Sequence, residues 1–254
     1  MNYEAKLFHD NFQNYKRYNI PRAQLVIADI PYNVSEKAYG SNPEWYVGGD
    51  NKNGESDKAK SSFFNGDGEF NLNEYFHFCH KLLKKEPKER GKAPCMIIFC
   101  AFEQMHDVIE IAKQKGFGGY IPLVFIKNFS PQVLKANMRI VGATEYALVL
   151  YRDKLPKFNN NGKMVFNWFE WQKDGVNEYP KIHPTQKPIR VLQKLIQIFT
   201  DEGEVVIDPC AGSGSTLRAA MEIGRKAYGF ETNTKFYKQA VDEMLSVPQQ
   251  QTLF

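Results

Sequence analysis

Four consecutive residues after an apolar stretch have groups suited to chemistry on a flat ring that carries an amine. Asp29, Ile30, Pro31 and Tyr32 directly follow residues 24–28, which predict a strand buried on both faces. The carboxylate of Asp29 and the backbone carbonyl of Ile30 could accept the two N–H hydrogens of an amino group, and the Tyr32 ring could stack on its plane. Open α/β sheets bind their ligands at the carboxyl ends of strands, where these residues lie.

This set of groups suits the alkylation of an exocyclic amine on a nucleobase. The lone pair of such an amine is delocalised into the ring, so hydrogen bonds that stabilise the positive charge building on nitrogen would raise its reactivity. A base inside a duplex cannot enter such a pocket, so it must be flipped out. Taken alone, the tetrapeptide is more typical of an ordinary turn after a strand, because Asp and Pro are common there.

A second segment has the pattern of a βαβ unit that binds a ligand. Residues 203–208 predict a strand that ends at Asp208, and residues 215–223 predict the helix that follows. Between them, Gly212 and Gly214 let the backbone turn tightly beside the free N–H groups of the helix N-terminus. This loop is therefore a candidate binding site for a cofactor.

The ligand of this unit should carry a ribose without being a dinucleotide. Leu217 occupies the position of the third glycine in the dinucleotide fingerprint, whereas Glu231 closes the next strand near the offset at which an acidic side chain meets a ribose. Upstream, residues 183–188 open a helix over residues 189–199, where Lys187 and the helix N-terminus could hold a carboxylate. Considered without Glu231 and residues 183–188, the glycine loop is more typical of an ordinary strand-to-helix turn.

Apolar stretches alternate with amphipathic ones along most of the chain. Stretches without polar alternation predict strands buried on both faces, and apolar spacings of three and four residues predict helices. The predicted strands are residues 24–28, 96–102, 123–126, 146–151, 203–208 and 226–231, and the predicted helices are residues 72–85, 103–115, 189–199 and 215–223. Their alternation predicts an α/β fold with a mostly parallel sheet.

The composition excludes several classes of protein. A chain of 254 residues with 43% hydrophobic side chains fits one globular domain and excludes a disordered or disulfide-stapled protein. The 33 Lys and Arg against 29 Asp and Glu give a net charge of +4, which permits a polyanionic partner without requiring one. The cysteines match no Cys-x-x-Cys pattern, and no further ligand cluster accompanies His77, Cys79 and His80 on their predicted helix, so no metal site is expected. We expect a reduced, cytoplasmic protein outside the membrane.

Three segments lack the periodicity of the rest. Residues 33–69 are rich in Gly, Asn, Ser and Lys, and residues 153–181 mix aromatic residues with Lys and Asn. Long irregular segments in a compact domain are usually functional loops or disordered ones. Residues 246–254 include Pro248, and we expect them to project as a tail.

The order of these motifs resembles that of the DNA amino-methyltransferases that use S-adenosylmethionine. Asp29 opens the first motif, His-Pro-Thr-Gln-Lys-Pro follows at residues 183–188, the Asp-Pro-Cys-Ala-Gly-Ser-Gly loop begins at Asp208, and Tyr-Gly-Phe-Glu ends at Glu231. In one class of that family, the β class, the catalytic Asp-Pro-Pro-Tyr likewise precedes the cofactor motif. The resemblance extends over residues 9–237.

The resemblance implies a fold, a reaction and a set of site residues. The fold would be one domain over residues 1–254, with a doubly wound, mostly parallel, seven-stranded sheet of the Rossmann-like methyltransferase type and residues 153–181 as a small target-recognition insertion. The reaction would move the methyl group of S-adenosylmethionine to a flipped-out base in double-stranded DNA, with Asp29, Ile30, Pro31 and Tyr32 as catalytic residues. The implied cofactor residues are Asp10, near the adenine; Asp29; Thr185 and Lys187, near the methionine end; Asp208, Cys210, Ala211, Gly212, Ser213, Gly214 and Ser215, in the loop; and Glu231, on the ribose.

The target base has two alternatives. An Asp at position 29 resembles the adenine-N6 branch of the family, whereas Ser is more typical of its cytosine-N4 branch. Ile30 replaces the first proline of the motif but still supplies a backbone carbonyl, and Cys210 replaces an aromatic residue that is usual in the loop. A catalytically silent partner that binds the cofactor or DNA, and an RNA-directed enzyme, are further alternatives. Asp29 and Tyr32 favour an active enzyme.

The last five residues form a candidate docking peptide. Gln-Gln-Thr-Leu-Phe, from Gln250 to Phe254, resembles the Gln-x-x-Leu-Phe peptide by which bacterial replication proteins bind the sliding clamp. Two apolar anchors on an extended peptide suit a shallow hydrophobic pocket. A frayed end is the alternative, because matches of five residues often arise by chance. Association into a homodimer is a further hypothesis.

Overall fold

The computed structural model describes residues 4–31, 70–128, 132–135, 140–171, 173–175, 178–183 and 185–246. The strands in these ranges are β1 (Ala5–Phe8), β2 (Leu25–Asp29), β3 (Cys95–Cys100), β4 (Gly119–Lys127), β5 (Gln132–Lys135), β6 (Ile140–Gly142), β7 (Thr144–Tyr151), β8 (Trp168–Trp171), β9 (Val205–Asp208) and β10 (Lys226–Phe230). The α-helices are α1 (Leu72–Leu82), α2 (Met105–Gln114), α3 (Ile189–Phe199), α4 (Ser215–Glu222) and α5 (Thr234–Gln239). Each strand and helix predicted from the sequence overlaps one of these elements.

Eight of the strands form one mixed sheet in the order β1-β10-β9-β2-β3-β7-β4-β8. Each neighbouring pair is parallel, except that β7 runs antiparallel to both β3 and β4. The predicted α/β fold with a mostly parallel sheet is therefore confirmed. β5 and β6 pair with each other as a separate antiparallel ribbon.

The sheet has eight strands where seven were expected. The additional strand, β8, lies within residues 153–181 and pairs in parallel with β4, with Trp168 opposite Val124. Phe169 and Trp171 are buried while Trp168 and Glu170 are exposed, which is the alternation of an edge strand with one covered face. Four residues are too few for this alternation to stand out among the aromatic residues around them.

Helices cover both faces of the sheet. On one face, Phe76 of α1 and Val108 of α2 belong to the same buried cluster as the β3 residue Ile98. On the other face, Leu195 of α3 and Leu217 of α4 belong to a second buried cluster. The doubly wound arrangement is therefore confirmed, and two cores enclose the sheet.

The local sequence explains why these elements form where they do. All six residues of β3 are buried because both faces of the strand are covered, which accounts for its unbroken apolar sequence. α1 begins after Asn71, whose side chain accepts hydrogen bonds from the backbone N–H groups of Asn73 and Glu74. α3 buries seven of its eleven residues, which gives it the amphipathic spacing seen in the sequence.

The direction of the chain reverses at the middle of the sheet. From β2 the chain passes through α1 to β3 on one side, and from β9 it passes through α4 to β10 on the other. The carboxyl ends of β2 and β9 therefore flank a topological switch point. Open α/β sheets bind their ligands in the crevice at such a point.

Three of the predicted features fall wholly or mainly outside the described residues. They are Tyr32, the irregular segment 33–69 and, apart from Ser246, the tail 246–254 with its docking peptide. Among the helices that the structure does describe, none is long and apolar enough to cross a membrane.

Candidate active site

The carboxyl ends of four neighbouring strands bring four acidic residues to one edge of the sheet. Asp29 ends β2 and Asp208 ends β9, while Glu231 and Asp10 lie one and two residues beyond β10 and β1. These four strands are parallel neighbours, so their carboxyl ends share an edge. The parallel sheet thus brings together residues that are more than two hundred positions apart in the sequence.

Asp29 lies beside the glycine loop that follows β9. β2 and β9 are hydrogen-bonded neighbours, with Val26 opposite Ile207. Asp29 lies three residues after Val26 on β2, which places it beside the loop that follows Asp208. The negative charge of Asp29 also contributes to the raised pKa values of the Asp208 carboxyl and the Cys210 thiol, for each of which burial is the main cause. The strand-end carboxylate and the loop therefore open on the same side of the molecule.

The loop between β9 and α4 makes its backbone accessible to a ligand. Gly212 and Gly214 have φ angles of 52° and 75°, a region that favours glycine. The Ala211 N–H donates to the Phe230 carbonyl at 2.9 Å, which ties the loop to β10. A Cβ atom on Gly212 would meet nothing within 4 Å, so this turn faces open space. The residues Ala211, Ser213 and Ser215 are buried beneath it.

Gly229 in β10 is a residue of this region that was not predicted as a site residue from the sequence. A Cβ atom there would lie 2.8 Å from Cδ1 of Leu217, 3.0 Å from Cβ of Ala211 and 3.2 Å from the carbonyl oxygen of Asp208. The lack of a side chain at this position allows α4 and the loop to pack on the strand. Its one signal in the sequence is a glycine inside a predicted strand, which often marks a close approach of another backbone.

We expect Gly229→Ala to destabilise the protein by about 1–3 kcal/mol, because the added methyl group would make three short contacts in a packed site. The measurement is the free energy of unfolding from urea titration. Gly118→Ala is the matched control, since a Cβ atom on Gly118 would meet nothing within 4 Å. Equal stability of the two variants would show that the loop can move away from β10 at no cost.

Asp208 is a buried carboxyl group at the start of the loop. Its Oδ1 accepts the Cys210 N–H at 2.9 Å. Burial raises its pKa to about 7, with smaller upward contributions from the charges of Asp29 and Glu231, while hydrogen bonds from Thr216 and Cys210 lower it. Near neutral pH this group therefore exchanges a proton readily.

The raised pKa of Asp208 makes the stability of the protein depend on pH. The folded carboxyl binds a proton up to about pH 7, whereas an unfolded Asp loses it near its ordinary pKa of 3.8. The folded state therefore binds more protons in this window, and stability falls as the pH rises from about 4 to 7. We expect Asp208→Asn, which cannot ionise, to lose less stability over this range in urea titrations. A parallel loss in both proteins would contradict a protonated Asp208.

Glu231 holds the turn after β10 together. Its Oε1 accepts the Asn233 N–H at 2.6 Å, and the backbone N–H groups of Gly212 and Thr232 also donate to the carboxylate. Partial burial raises the pKa of this carboxyl, and the three backbone donors lower it. The side chain thus lies between the glycine loop and the end of β10. Its predicted contact with a ribose stays a prediction.

Asp10 is engaged by its own loop. Its carboxylate accepts hydrogen bonds from Asn14 Nδ2 at 2.6 Å, from the Tyr18 hydroxyl at 2.8 Å and from the Asn11 N–H at 2.8 Å. These hydrogen bonds, with that of Asn14 the strongest influence, lower the pKa of Asp10. The carboxylate thus holds together the segment that follows β1, the strand beside β10. The predicted position of Asp10 near an adenine stays a prediction.

The segment before α3 brings Lys187 to Asp29. Lys187 Nζ lies 2.5 Å from Oδ2 of Asp29 and 3.2 Å from Oε2 of Glu145, and Oε1 of Glu145 accepts a hydrogen bond from Lys127 Nζ. We call these four side chains the charge row. It runs along the sheet edge, because Glu145 lies at the start of β7 and Lys127 at the end of β4. The sequence-based prediction that Lys187 contacts the methionine end of a cofactor stays a prediction.

Glu145 and Lys127 were not predicted from the sequence. Each has a signal that could have identified it: Glu145 immediately precedes the apolar residues 146–151, and Lys127 immediately follows the apolar residues 123–126. A charge at the end of a buried strand is a candidate for the site at the sheet edge. The sequence could not show that β7 is antiparallel, which is why its first residues reach the edge formed by the last residues of its neighbours.

A glutamine fixes the backbone after Asp29. Gln104 Nε2 donates to the Pro31 carbonyl at 3.1 Å, and Gln104 Oε1 accepts the Ala101 N–H at 3.1 Å. The Ile30 N–H donates to the Phe99 carbonyl at 3.2 Å, so β2 and β3 stay paired up to this point. The backbone of the predicted catalytic motif is thus held from both sides.

The remaining predicted site residues lie close to the same edge. Thr185 Oγ1 is 3.0 Å from Nδ1 of His183, whose pKa is lowered mainly by burial. Burial raises the pKa of the Cys210 thiol well above its ordinary value, so it is a poor nucleophile at neutral pH. Within the described part of the chain, no group of three His, Cys, Asp or Glu side chains could hold a metal ion.

Fold and site together define a doubly wound α/β protein in which a cofactor-type glycine loop faces a strand-end carboxylate. The family model for DNA methylases matches residues 23–242. The DNA adenine methyltransferase YhdJ of Escherichia coli K12 is 27% identical over 260 residues, which cover 94% of this chain and 82% of that protein. The type II methyltransferase M.HindIII of Haemophilus influenzae is 30% identical over 168 residues, 61% of this chain and 52% of that protein.

A solved structure supports the same fold. The crystal structure of the M1.HpyAVI–SAM complex matches with a TM-score of 0.66 at 20% identity, over 96% of this chain and 100% of that chain. Because the family model matches more than half of the residues, the chain belongs to the N6/N4 DNA methylase family, a family of S-adenosylmethionine-dependent DNA methyltransferases.

Proposed function

We propose that this protein methylates the N6 amine of adenine in double-stranded DNA, with S-adenosylmethionine as the methyl donor. One observation carries the proposal: Asp29 and the Gly212 loop open on the same edge of the sheet, at the ends of adjacent strands. A donor on the loop and a base at Asp29 would face each other across that gap. The adenine methyltransferase YhdJ, which matches most of this chain, supports adenine as the base.

The residues at the loop fit the proposed donor. S-adenosylmethionine supplies a methyl carbon bound to a sulfonium sulfur, which leaves with the bonding electron pair. Gly212 has no side chain, and the space that a Cβ atom would occupy there is open. A ligand can therefore approach the backbone of this turn. Glu231 presents a carboxylate beside this turn, and carboxylates bind ribose hydroxyls well. We therefore assign the adenosine part of the donor to Glu231, Asp10 and the residues of the loop, and its methionine end to the segment with Thr185.

The target amine would be bound by the end of β2. The Asp29 carboxylate and the Ile30 carbonyl accept its two N–H hydrogens, which turns the nitrogen lone pair outward and stabilises the positive charge that develops on nitrogen. Gln104 keeps the backbone at Pro31 in place for this contact. Tyr32, which follows directly, is assigned to stacking on the base. The extra proton on nitrogen leaves to water after the transfer.

Part of the segment 153–181 is proposed to contact the DNA. Among its aromatic residues, Phe169 and Trp171 are buried in the core, whereas Phe166 and Trp168 are 74% and 43% exposed. The rings of the exposed pair stack with centroids 5.8 Å apart. Exposed aromatic rings stack on bases, and the exposed Lys163 lies in the same segment, where it can contact a phosphate.

Trp168→Ala is expected to weaken DNA binding about tenfold, because stacking on one base contributes about 1–3 kcal/mol. The measurement is the Kd for a fluorescent duplex that contains the methylation site, at fixed salt. Val241→Ala removes a similarly exposed apolar side chain from the far end of the chain and serves as the control. Unchanged affinity of Trp168→Ala would remove β8 from the DNA interface.

The base assignment is tested by analysis of the methylated nucleosides. Purified protein is incubated with duplex DNA and S-adenosylmethionine, and the digested DNA is separated by liquid chromatography with mass detection. We expect N6-methyladenine. N4-methylcytosine would identify cytosine as the target base in place of adenine, and the absence of any methylated nucleoside would contradict the proposed function.

Two partners are proposed beyond the DNA substrate. We assign the peptide from Gln250 to Phe254 to a bacterial sliding clamp, and a homodimer to the protein in solution. Equal capture on an immobilised clamp of the wild type and of Leu253→Ala/Phe254→Ala would remove the first proposal, and a monomer in sedimentation equilibrium would remove the second. A reaction on cellular DNA agrees with the cytoplasmic location expected from the sequence.

A further inference from the structure

The charges of the charge row depend on one another. A buried ion is stable only when opposite charges and hydrogen bonds compensate for its lost hydration. The Lys187 side chain is 8% exposed and has the carboxylates of Asp29 and Glu145 within 3.2 Å. The ring faces of Phe99 and Trp171 lie 5.2 and 5.6 Å from its Nζ. Lys187 is therefore held by four groups from four strands, β2, β7, β3 and β8.

Lys187 stays charged in this position. Burial by itself lowers the pKa of its ammonium group, but the Asp29 and Glu145 carboxylates outweigh burial and raise the pKa above its ordinary value. Glu145 is likewise kept ionised, since burial raises its pKa but Lys187 and Lys127 lower it below the ordinary value. Two positive and two negative charges thus balance along the row.

The position of Lys187 gives it control over the charge of Asp29. An ammonium group 2.5 Å from a carboxylate stabilises the ionised form, which the target amine needs as a hydrogen-bond acceptor. If Asp29 were its sole partner, the same ammonium would draw negative charge away from the amine. Glu145, 3.2 Å from the ammonium, takes up part of this attraction.

We propose that Glu145 is a positioning residue that shares the ammonium group of Lys187 and thereby sets the negative charge that Asp29 offers to the target amine. Lys127 holds Glu145 in place from its other oxygen. The inference rests on the proposed function, because it assigns Asp29 the role of binding the amine. It differs from a purely structural role in one respect: it fixes the direction in which each substitution moves the titration of Asp29.

Other titratable groups also face Asp29. Asp208 and Cys210, from the end of β9 and its loop, and Cys100, from the end of β3, interact with its charge. Burial raises the pKa of Cys100 to about 12 and that of Cys210 well above its ordinary value, so both thiols are neutral at pH 7. Asp208, with its pKa of about 7, is negative only toward the upper part of the range. In the acidic pH range, the apparent pKa of Asp29 is therefore determined by the other members of the charge row.

The test is a titration of Asp29 by carbon-13 NMR on full-length protein with labelled aspartate, in which an Asp29→Asn spectrum assigns the signal. We expect Lys187→Met to raise the apparent pKa of Asp29 by about one unit or more, because it removes an adjacent positive charge. Glu145→Gln should lower it, because Lys187 then loses the carboxylate that competes with Asp29 for its ammonium group. Lys127→Met should raise it, because Glu145 then attracts Lys187 more strongly.

The kinetic measurement is single-turnover methylation of duplex DNA across the pH range. Glu145→Gln should lower the rate about 10- to 100-fold, as expected when a hydrogen bond to a charged group is lost, and should move the acidic limb to lower pH. Lys187→Met should move that limb to higher pH. Glu110→Gln is the matched control, because Glu110 pairs with Lys113 on an exposed face of α2, and it should change neither quantity.

Opposite shifts for Glu145→Gln and Lys187→Met support the inference, whereas shifts in the same direction, or none, overturn it. The melting temperature and donor affinity of each variant are measured as well, because wild-type values show that a shift does not come from misfolding. If Glu145→Gln does not fold, Lys127→Met decides by the sign of its shift. A wild type that methylates no DNA would refute the proposed function, while the NMR titration would still decide whether Glu145 sets the charge of Asp29.

Discussion

Asp29→Ala is expected to lower the rate of methyl transfer about 100- to 1000-fold while donor affinity changes less than tenfold. In the proposed mechanism, Asp29 supplies the carboxylate that stabilises the charge developing on the target nitrogen, and the loss of one such group typically costs this much. Because Asp29 ends β2 and the donor is assigned to the loop after β9, the two properties should separate. The measurements are single-turnover methylation and calorimetric titration with S-adenosylmethionine.

Two further variants make this result interpretable. Asp29→Asn keeps the shape of the side chain and tests whether the charge is needed, since Lys187 would retain Glu145 as a partner. Asp107→Ala, an exposed acidic residue in the first turn of α2, controls for loss of a surface charge. Equal loss of donor affinity and of rate in Asp29→Ala would mean that Asp29 acts on the donor and not on the base.

Glu231→Gln should have the opposite profile. We expect it to weaken binding of S-adenosylmethionine about 10- to 100-fold, because a charge-assisted hydrogen bond to the ribose is lost. Once the donor is saturating, the rate of transfer should stay within about threefold of the wild type, since Glu231 lies two strands away from Asp29 and a hydrogen bond of this kind acts on binding. The measurement is the dependence of single-turnover rate on donor concentration.

Glu243→Gln is the control for Glu231→Gln, because Glu243 is an exposed residue after α5 that interacts with Gln239. Since Glu231 also accepts backbone N–H groups of the loop, the melting temperature of the variant must be measured alongside. A donor affinity equal to that of the wild type would remove the ribose contact from the site.

The part of the fold that could be predicted from the sequence is the part in which single residues report on burial. β3 is covered on both faces, so its sequence is apolar throughout and its position was predicted correctly. The glycines before α4 and the end of β9 at Asp208 were predicted for the same kind of reason, because a tight turn restricts the residue types that it accepts. Such constraints act within a few residues and are visible in a window of the sequence.

The charge row could not be predicted, because its members come from distant strands. Lys187 and Asp29 are 158 positions apart, and they meet only because the segment before α3 crosses the edge of the sheet. Lys187 was predicted to bind a carboxylate, and in the structure its ammonium group contacts the carboxylates of Asp29 and Glu145. The predicted contact of Lys187 with a ligand carboxylate stays a prediction, and the sequence did not indicate these two protein partners.

The eighth strand was not predicted for a different reason. β8 is four residues long and lies in a segment of mixed aromatic and charged residues, so its alternation has two buried positions at most. It is defined by its pairing with β4, a contact between residues more than forty positions apart. These four residues form a strand because they pair with β4 at the edge of the sheet.

The most direct test of the central claim is base-resolved mapping of modified DNA from cells that express the wild type or Asp29→Ala at equal levels. If a methyl donor on the Gly212 loop faces a flipped adenine at Asp29, the wild type will leave N6-methyladenine at one sequence context and Asp29→Ala will leave none above background. The same modification at the same sites in both strains would contradict this arrangement.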